Sequence, residues 1–83
     1  MSNNEIANRL QEQARLLRKR HDNLYRVKAY RNAAQVLLRL EEPVEALVHE
    51  KGPHALEELP GIGKRLAKTI AHYLETGEWQ ARN

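Results

Sequence analysis

The chain of 83 residues contains no cysteine and no phenylalanine, one tryptophan, three prolines and four glycines. Without cysteine it has no disulfide, no thiol nucleophile and no cysteine-ligated zinc site, and it is compatible with a reducing compartment. Its apolar runs are only a few residues long, which excludes a membrane-spanning helix and the apolar core of a signal peptide. We therefore expect a cytoplasmic location and no membrane partner.

What the chain does contain is aliphatic side chains and charge. Hydrophobic residues make up 41% of the sequence, and most of them are leucine, alanine, valine and isoleucine. A domain of this size buries only about 60% of the surface that its unfolded chain exposes, so it has one small core. The length excludes a second domain, and the residue types favour helices.

The charged residues are unevenly distributed along the chain. Residues 1–40 carry nine basic and three acidic groups, residues 41–63 carry one and six, and residues 64–83 carry four and two. Two basic segments flanking an acidic one favour an anionic partner. Nucleic acid fits better than a membrane surface, because no bulky apolar anchors accompany the basic residues.

The spacing of apolar residues predicts an all-α fold over residues 1–83, a compact bundle of about five short helices with no strand. Caps and helix breakers set the predicted boundaries. In chain order these are a cap at Asn3 or Asn4, a second helix from about Leu24, a third from Pro43, a short fourth over 56–59, and a fifth over 63–76 closed by Gly77.

The most specific motif lies between the last two predicted helices. We expect Gly61 and Gly63 to adopt positive φ angles and to leave the backbone open to a ligand, while Ile62 packs into the core. The N–H groups of this turn lie beside the start of the fifth helix, where a phosphate is favoured. The alternative interpretation is an ordinary turn closed by glycines.

Basic residues follow the turn at helical spacing. Lys64, Arg65, Lys68 and His72 share one face of the fifth helix, and no acidic residue appears there before Glu75. Such a face can follow a row of phosphates, although an ordinary solvated face is the alternative. Lys28 and Arg31 form a secondary basic face on the second helix.

Residues 59–67 resemble the helix-hairpin-helix motif. Leu59, Gly61, Ile62, Gly63 and Ala67 match its hydrophobic-Gly-hydrophobic-Gly-x-x-x-Ala pattern. The resemblance implies that a motif within residues 54–76 binds the DNA backbone without reading sequence. The DNA-binding residues expected on these grounds are Gly61, Ile62, Gly63, Lys64, Arg65, Lys68 and His72.

The resemblance extends over nearly the full chain. Residues 23–34, the Leu-Pro-Gly-Ile-Gly segment and residues 73–77 are similar to the N-terminal 8-kDa domain of family X DNA polymerases, the DNA polymerase beta class. This implies binding of gapped or single-stranded DNA in a repair-type context, on the nucleoid if the source is bacterial. It places a 5′-phosphate pocket at Tyr25, Arg26, Tyr30 and Arg65. Taken alone, Tyr30 is more typical of core packing.

The resemblance also bears on cofactors and catalysis. It implies that a monovalent cation, K⁺ or Na⁺, binds the main-chain carbonyls of Glu57, Leu59 and Ile62; no other cofactor and no side-chain metal site is expected. Some family members excise 5′-deoxyribose phosphate through a Schiff-base lysine, whose position is occupied here by Thr69. Threonine cannot form the imine, so we expect a binding module rather than an enzyme. The alternative is a lyase that uses Lys68 or Lys28.

Two further interpretations stay open from the sequence. The acidic segment 41–58 favours a protein-interaction adaptor built on the same scaffold, and Trp79 either stacks on a base or folds back onto the core. Since the sequence ends at Asn83 with no polymerase region after it, we expect no nucleotidyl transfer. The sequence leaves the oligomeric state open.

Overall fold

Five α-helices follow one another along residues 1–80. The computed structural model describes residues 1–80, and these residues contain no β-strand. The helices are α1 (Asn3–Lys19), α2 (Leu24–Arg39), α3 (Val44–Lys51), α4 (His54–Glu57) and α5 (Lys64–Thr76). The predicted all-α fold is therefore confirmed.

The first helix begins at a capping box. The Ser2 hydroxyl accepts a hydrogen bond from the Glu5 backbone N–H at 3.1 Å, and the Glu5 carboxylate accepts one from the Ser2 N–H at 3.1 Å. The prediction of Asn3 or Asn4 as the cap is wrong, because the reciprocal pair formed by Ser2 and Glu5 satisfies two exposed donors together.

The second helix starts where the sequence predicts. A polar turn, in which His21 has a φ of 57°, reverses the chain, and the Asn23 side chain accepts a hydrogen bond from the Tyr25 N–H at 2.7 Å. This bond satisfies one of the free donors of the first turn. The short connection folds α2 back along α1, and these two helices form the main packing pair of the domain.

The third and fourth helices are short, and the start of α3 is held by a residue from α1. The Asn3 side chain accepts a hydrogen bond from the Val44 N–H at 2.8 Å and donates one to the Glu42 carbonyl at 2.9 Å. Asn3 therefore satisfies a donor at the start of α3, whose N-cap Pro43 has no side-chain acceptor. The predicted range 56–59 for the fourth helix is shifted by two residues.

One apolar core joins the helices. None of the buried residues in the described part of the chain is polar or charged. The largest fully buried side chains are Ile6, Leu10, Leu17, Leu37, Val44, Leu56 and Ile70. No helix among the described residues combines the length and the apolar character needed to cross a bilayer.

The segment after α5 returns to the core. Gly77 ends the helix in the left-handed region, with a φ of 78°, as predicted. The Trp79 ring then meets the Tyr73 ring edge to face, at 5.4 Å between centroids, and the Arg9 Nε donates to the Tyr73 hydroxyl at 3.3 Å. Of the two interpretations of Trp79, packing against the core is the one that the structure supports.

Candidate nucleic-acid interface

The connection between α4 and α5 is anchored by one buried side chain. Ile62 is 3% exposed and belongs to the core, and its N–H donates to the Leu59 carbonyl at 3.1 Å. Gly61 has a φ of 79°, in the left-handed region that side chains other than glycine adopt at a cost. The hairpin thus has the predicted form at these two positions.

Gly63 differs from the prediction. Its φ of −87° and ψ of −176° describe extended backbone, so the expectation of a positive φ at Gly63 is wrong. The reason is that Gly63 is the N-cap of α5, and N-cap residues ordinarily have extended backbone. A Cβ added at Gly63 meets no atom within 4 Å, so the glycine leaves open space in front of the backbone.

The first turn of α5 presents free hydrogen-bond donors. Gly63 supplies no side-chain cap, and the first hydrogen bond back to it runs from the Ala67 N–H to the Gly63 carbonyl at 2.9 Å. Among the described residues, no acceptor faces the N–H groups of Lys64, Arg65 and Leu66. These donors and the positive end of the helix dipole favour an anion.

A groove of about 540 Å³ lies between α2, the hairpin and α5. We call it the hairpin groove. Seven residues predicted from the sequence line it, namely Arg26, Tyr30, Gly61, Gly63, Arg65, Lys68 and His72. The other lining residues are Ala29, Leu66, Thr69 and Gln80. No carboxylate of residues 1–80 lines this groove, so the three permanently charged side chains that line it, Arg26, Arg65 and Lys68, are all positive.

Arg26 is oriented from two sides. Its Nη1 donates to the Asp22 carboxylate at 3.2 Å, and it also hydrogen-bonds the Tyr30 hydroxyl. Burial raises the pKa of Tyr30 above its ordinary value, while the charges of Arg26 and Arg65 act in the opposite direction. Both arginines therefore lie near the same phenol. Tyr30 packs in the core and also lines the groove, while its place in a 5′-phosphate pocket stays a prediction.

Two residues that bear on the lyase alternative also line the hairpin groove. Thr69, which the resemblance to the polymerase beta class places at the position of a Schiff-base lysine, donates from its hydroxyl to the Arg65 carbonyl at 3.1 Å. Lys68 lines the groove beside Thr69, although the side chains of adjacent residues on a helix point about 100° apart. Lys28 lies elsewhere, in a second groove.

Five of the predicted binding residues do not line the hairpin groove. One of them, Ile62, is buried in the core below it, and the other four lie outside it. Tyr25 is 84% exposed, and Lys64 is exposed at the first residue of α5. Lys28 and Arg31, the predicted secondary basic face, line a separate groove of about 590 Å³ between α1 and α2. The sequence spacing thus identified a second basic surface but not its partners on α1.

His72 contributes an unpaired polar atom. Its Nε2 is buried, and no hydrogen-bond partner for it is found among the described residues. A buried polar nitrogen without a partner is costly, and a ligand in the groove can supply one after rotation of the ring.

The acidic segment presents exposed side chains rather than a catalytic pair. Glu41, Glu42, Glu45 and Glu58 are exposed, and the Glu45 carboxylate pairs with the amino terminus of Met1. In the described chain, no three histidine, aspartate or glutamate side chains cluster as metal ligands do. These carboxylates therefore lie on a solvated surface.

The structure adds residues that the sequence analysis did not find. The sequence marks Thr69 only as the position of an absent lysine, and Gln80 and Ala29 carry no charge or motif that marks them. Their place in the groove depends on how α5 crosses α2, which apolar periodicity does not specify.

A scan against protein-family models matches residues 1–79 to the helix-hairpin-helix domain. The chain therefore belongs to this family, whose members generally bind DNA. No curated protein matches the chain. The predicted motif is thereby confirmed, while the finer similarity to the polymerase beta class stays a prediction.

Proposed function

We propose that this helix-hairpin-helix domain binds DNA through the hairpin groove, without reading sequence, and prefers a gap, an end or a single strand that carries a 5′-phosphate. The observation that carries this proposal is the convergence of Arg26, Arg65 and Lys68 on a groove that borders the free N–H groups of α5. Donors of this kind recognise phosphate oxygens. A repair-type context follows from such a substrate.

The composition of the groove favours backbone contacts. Guanidinium groups bind two phosphate oxygens at once, and main-chain N–H groups bind phosphate regardless of the neighbouring base. Among residues 1–80, no asparagine lines the groove, and the one amide side chain that does, Gln80, belongs to the segment after α5. Phosphate contacts position a protein on DNA but do not specify a sequence.

A terminal phosphate fits this arrangement better than an internal one. It carries more negative charge than a phosphodiester and has three free oxygens, which can be shared among two arginines and a helix N-terminus. The Tyr25 ring, 84% exposed and next to Arg26 in sequence, is available to stack on an unpaired base at the same end.

A titration series tests this proposal. Binding is measured for duplex, single strand and gapped duplex, the last with and without a 5′-phosphate, at two salt concentrations. We expect the tightest binding to the phosphorylated gap and a slope of log affinity against log salt of about −2 to −5, from three to five phosphate contacts. Equal affinity with and without the 5′-phosphate contradicts the preference, and absence of all binding contradicts the function.

We further propose that the domain is a binding module and not a lyase. Thr69 stands where a Schiff-base lysine is needed, and the alternative amine of Lys28 lies in the other groove. Borohydride trapping on an oligonucleotide with an abasic site is expected to give no adduct with the natural chain and an adduct with Thr69→Lys. An adduct with the natural chain that disappears in Lys68→Ala shows instead that Lys68 is the replacement nucleophile.

A monovalent cation on the hairpin carbonyls is part of the same proposal. The Leu59 carbonyl already accepts the Ile62 N–H, and it retains a second lone pair for K⁺ or Na⁺. At equal ionic strength, replacing K⁺ by choline is expected to weaken DNA binding. Unchanged affinity indicates that the hairpin acts without a cation.

A protein-interaction adaptor is the second candidate function. The exposed carboxylates of segment 41–58 favour a basic protein partner on the face formed by α3 and α4. Failure to bind any DNA form at low salt, together with retention of a basic protein, supports this alternative over the first.

A further inference from the structure

The second groove has the charge of a binding site for a polyanion. The groove has a volume of about 590 Å³. Its cations come from the two helices on either side, Arg15 and Arg18 from α1 and Lys28 and Arg31 from α2. The other lining residues are Ala14 and three residues with amide side chains. No carboxylate from the described part of the chain lines the groove. Four cations within one concave surface repel one another unless an anion lies between them. We call this surface the α1–α2 groove.

The four cations are also available for binding. All four are exposed, and none forms an ion pair or a side-chain hydrogen bond with another described residue. On a protein surface, charged side chains ordinarily alternate in sign and form at least weak pairs. Amide side chains between the cations add neutral donors, a combination typical of contacts to phosphate and sugar.

The α1–α2 groove faces away from the hairpin groove. On α2, Lys28 lies about 200° around the helix from Arg26, and Gln35 lies about 2.5 turns after Arg26, on the opposite side. Arg26 lines the hairpin groove, whereas Lys28 and Gln35 line the other. The domain measures only 38 × 23 × 21 Å, so the two grooves lie on opposite sides of a thin molecule. A straight duplex in one groove does not reach the other.

From this arrangement we propose that the α1–α2 groove binds the backbone of a second nucleic-acid segment, so that one chain holds two segments on opposite sides of α2. This inference rests on the proposed function of the hairpin groove. The ligand chemistry is the same phosphate backbone, but the contacts come from side chains alone. The second segment is therefore bound more weakly and with a stronger dependence on salt.

The test uses short duplexes of about 12 base pairs, which are too stiff to bend around the domain. With DNA in excess at low salt, native mass spectrometry is expected to show one chain carrying two duplexes. The double variant Arg15→Gln/Arg18→Gln is expected to carry only one, with the first dissociation constant changed less than about threefold.

A matched variant distinguishes the contribution of this groove from a general effect of net charge on DNA binding. Lys19→Gln/Arg20→Gln also removes two exposed cations near the end of α1, but neither residue lines the α1–α2 groove or the hairpin groove, and we expect it to keep the second duplex. Circular dichroism checks that both variants remain helical.

Three outcomes overturn the proposal. The first is that the natural chain saturates at one duplex per chain, seen either as a monomer with one duplex or as a dimer with two duplexes. The second is equal loss of the second duplex in both double variants. The third is absence of any duplex, which contradicts the function of the hairpin groove as well, whereas the first two leave that function intact.

Discussion

The hairpin groove and the α1–α2 groove have similar volumes, about 540 Å³ and about 590 Å³, yet they are built differently. The first combines cations with main-chain donors, a buried phenol and a turn anchored in the core. The second consists of flexible side chains projecting from two exposed helix faces. The difference indicates that a preorganised site needs backbone held by packing, whereas the cations of the α1–α2 groove need only helical spacing on two helices that lie side by side.

The largest expected effect concerns Ile62, the buried side chain that anchors the hairpin and has no counterpart in the α1–α2 groove. Ile62→Ala removes a buried side chain, and we expect the free energy of unfolding to fall by about 2–4 kcal/mol in urea denaturation. The matched change Leu38→Ala truncates a side chain that is 44% exposed, and it is expected to cost less than about 1 kcal/mol. Equal losses in the two variants contradict the anchoring role of Ile62.

The next effect concerns the charge in the hairpin groove. Arg65 is exposed, so Arg65→Ala leaves the fold intact, and loss of a charged phosphate contact is expected to weaken DNA binding about 10- to 100-fold. Arg39 is exposed on α2 and lines neither groove, so Arg39→Ala serves as the control. Similar losses in both variants would mean that net charge, and not this groove, determines affinity.

A smaller effect tests whether the ligand approaches the main chain. Gly63→Ser introduces a favoured N-cap residue where its Cβ meets no atom, so the free energy of unfolding is expected to stay constant or to rise by a few tenths of a kcal/mol. Because the new side chain stands in front of the free donors, DNA affinity is expected to fall about 3- to 10-fold. Full affinity in this variant contradicts a contact with the backbone of the hairpin.

The smallest expected effect concerns the ionisation of Tyr30, the buried phenol of the hairpin groove, which has no counterpart in the α1–α2 groove. Burial raises the pKa of Tyr30 above its ordinary value of 10.0. The unfolded chain therefore releases this proton first as the pH rises, and the folded state loses stability in alkaline solution. In Tyr30→Phe we expect a smaller fall in the free energy of unfolding between about pH 9 and about pH 11, measured by chemical denaturation. An identical fall in both proteins contradicts this contribution.

Much of the fold follows from local patterns in the sequence. The starts of α2 and α5 and the left-handed Gly77 depend on caps and apolar spacing within one or two turns. The predicted cap of α1 is wrong because Ser2 and Glu5 form a reciprocal capping box one residue before Asn3. The contact from Asn3 to α3 depends on packing between distant residues, which no local pattern encodes.

The candidate site likewise contains residues that local sequence patterns predict and residues whose role depends on packing between helices. Arg65 and Lys68 were predicted from spacing along one helix, and Arg26 was predicted only through resemblance to a family. The role of Arg15 and Arg18 depends on which face of α1 lies beside α2, which requires the packing of the pair. The backbone conformation of Gly63 does not follow from the sequence, because its sequence context is compatible with both a left-handed turn residue and an extended N-cap.

The central claim is that the first turn of α5 gives its N–H groups to a phosphate. The most direct test follows the amide resonances of the uniformly ¹⁵N-labelled chain during titration with a gapped duplex that carries a 5′-phosphate. The account predicts that the amides of Lys64, Arg65 and Leu66 shift most and move downfield, as hydrogen-bonded donors do, while those of α3 and α4 stay in place. Shifts concentrated on α3 and α4, with the hairpin amides unmoved, would contradict it.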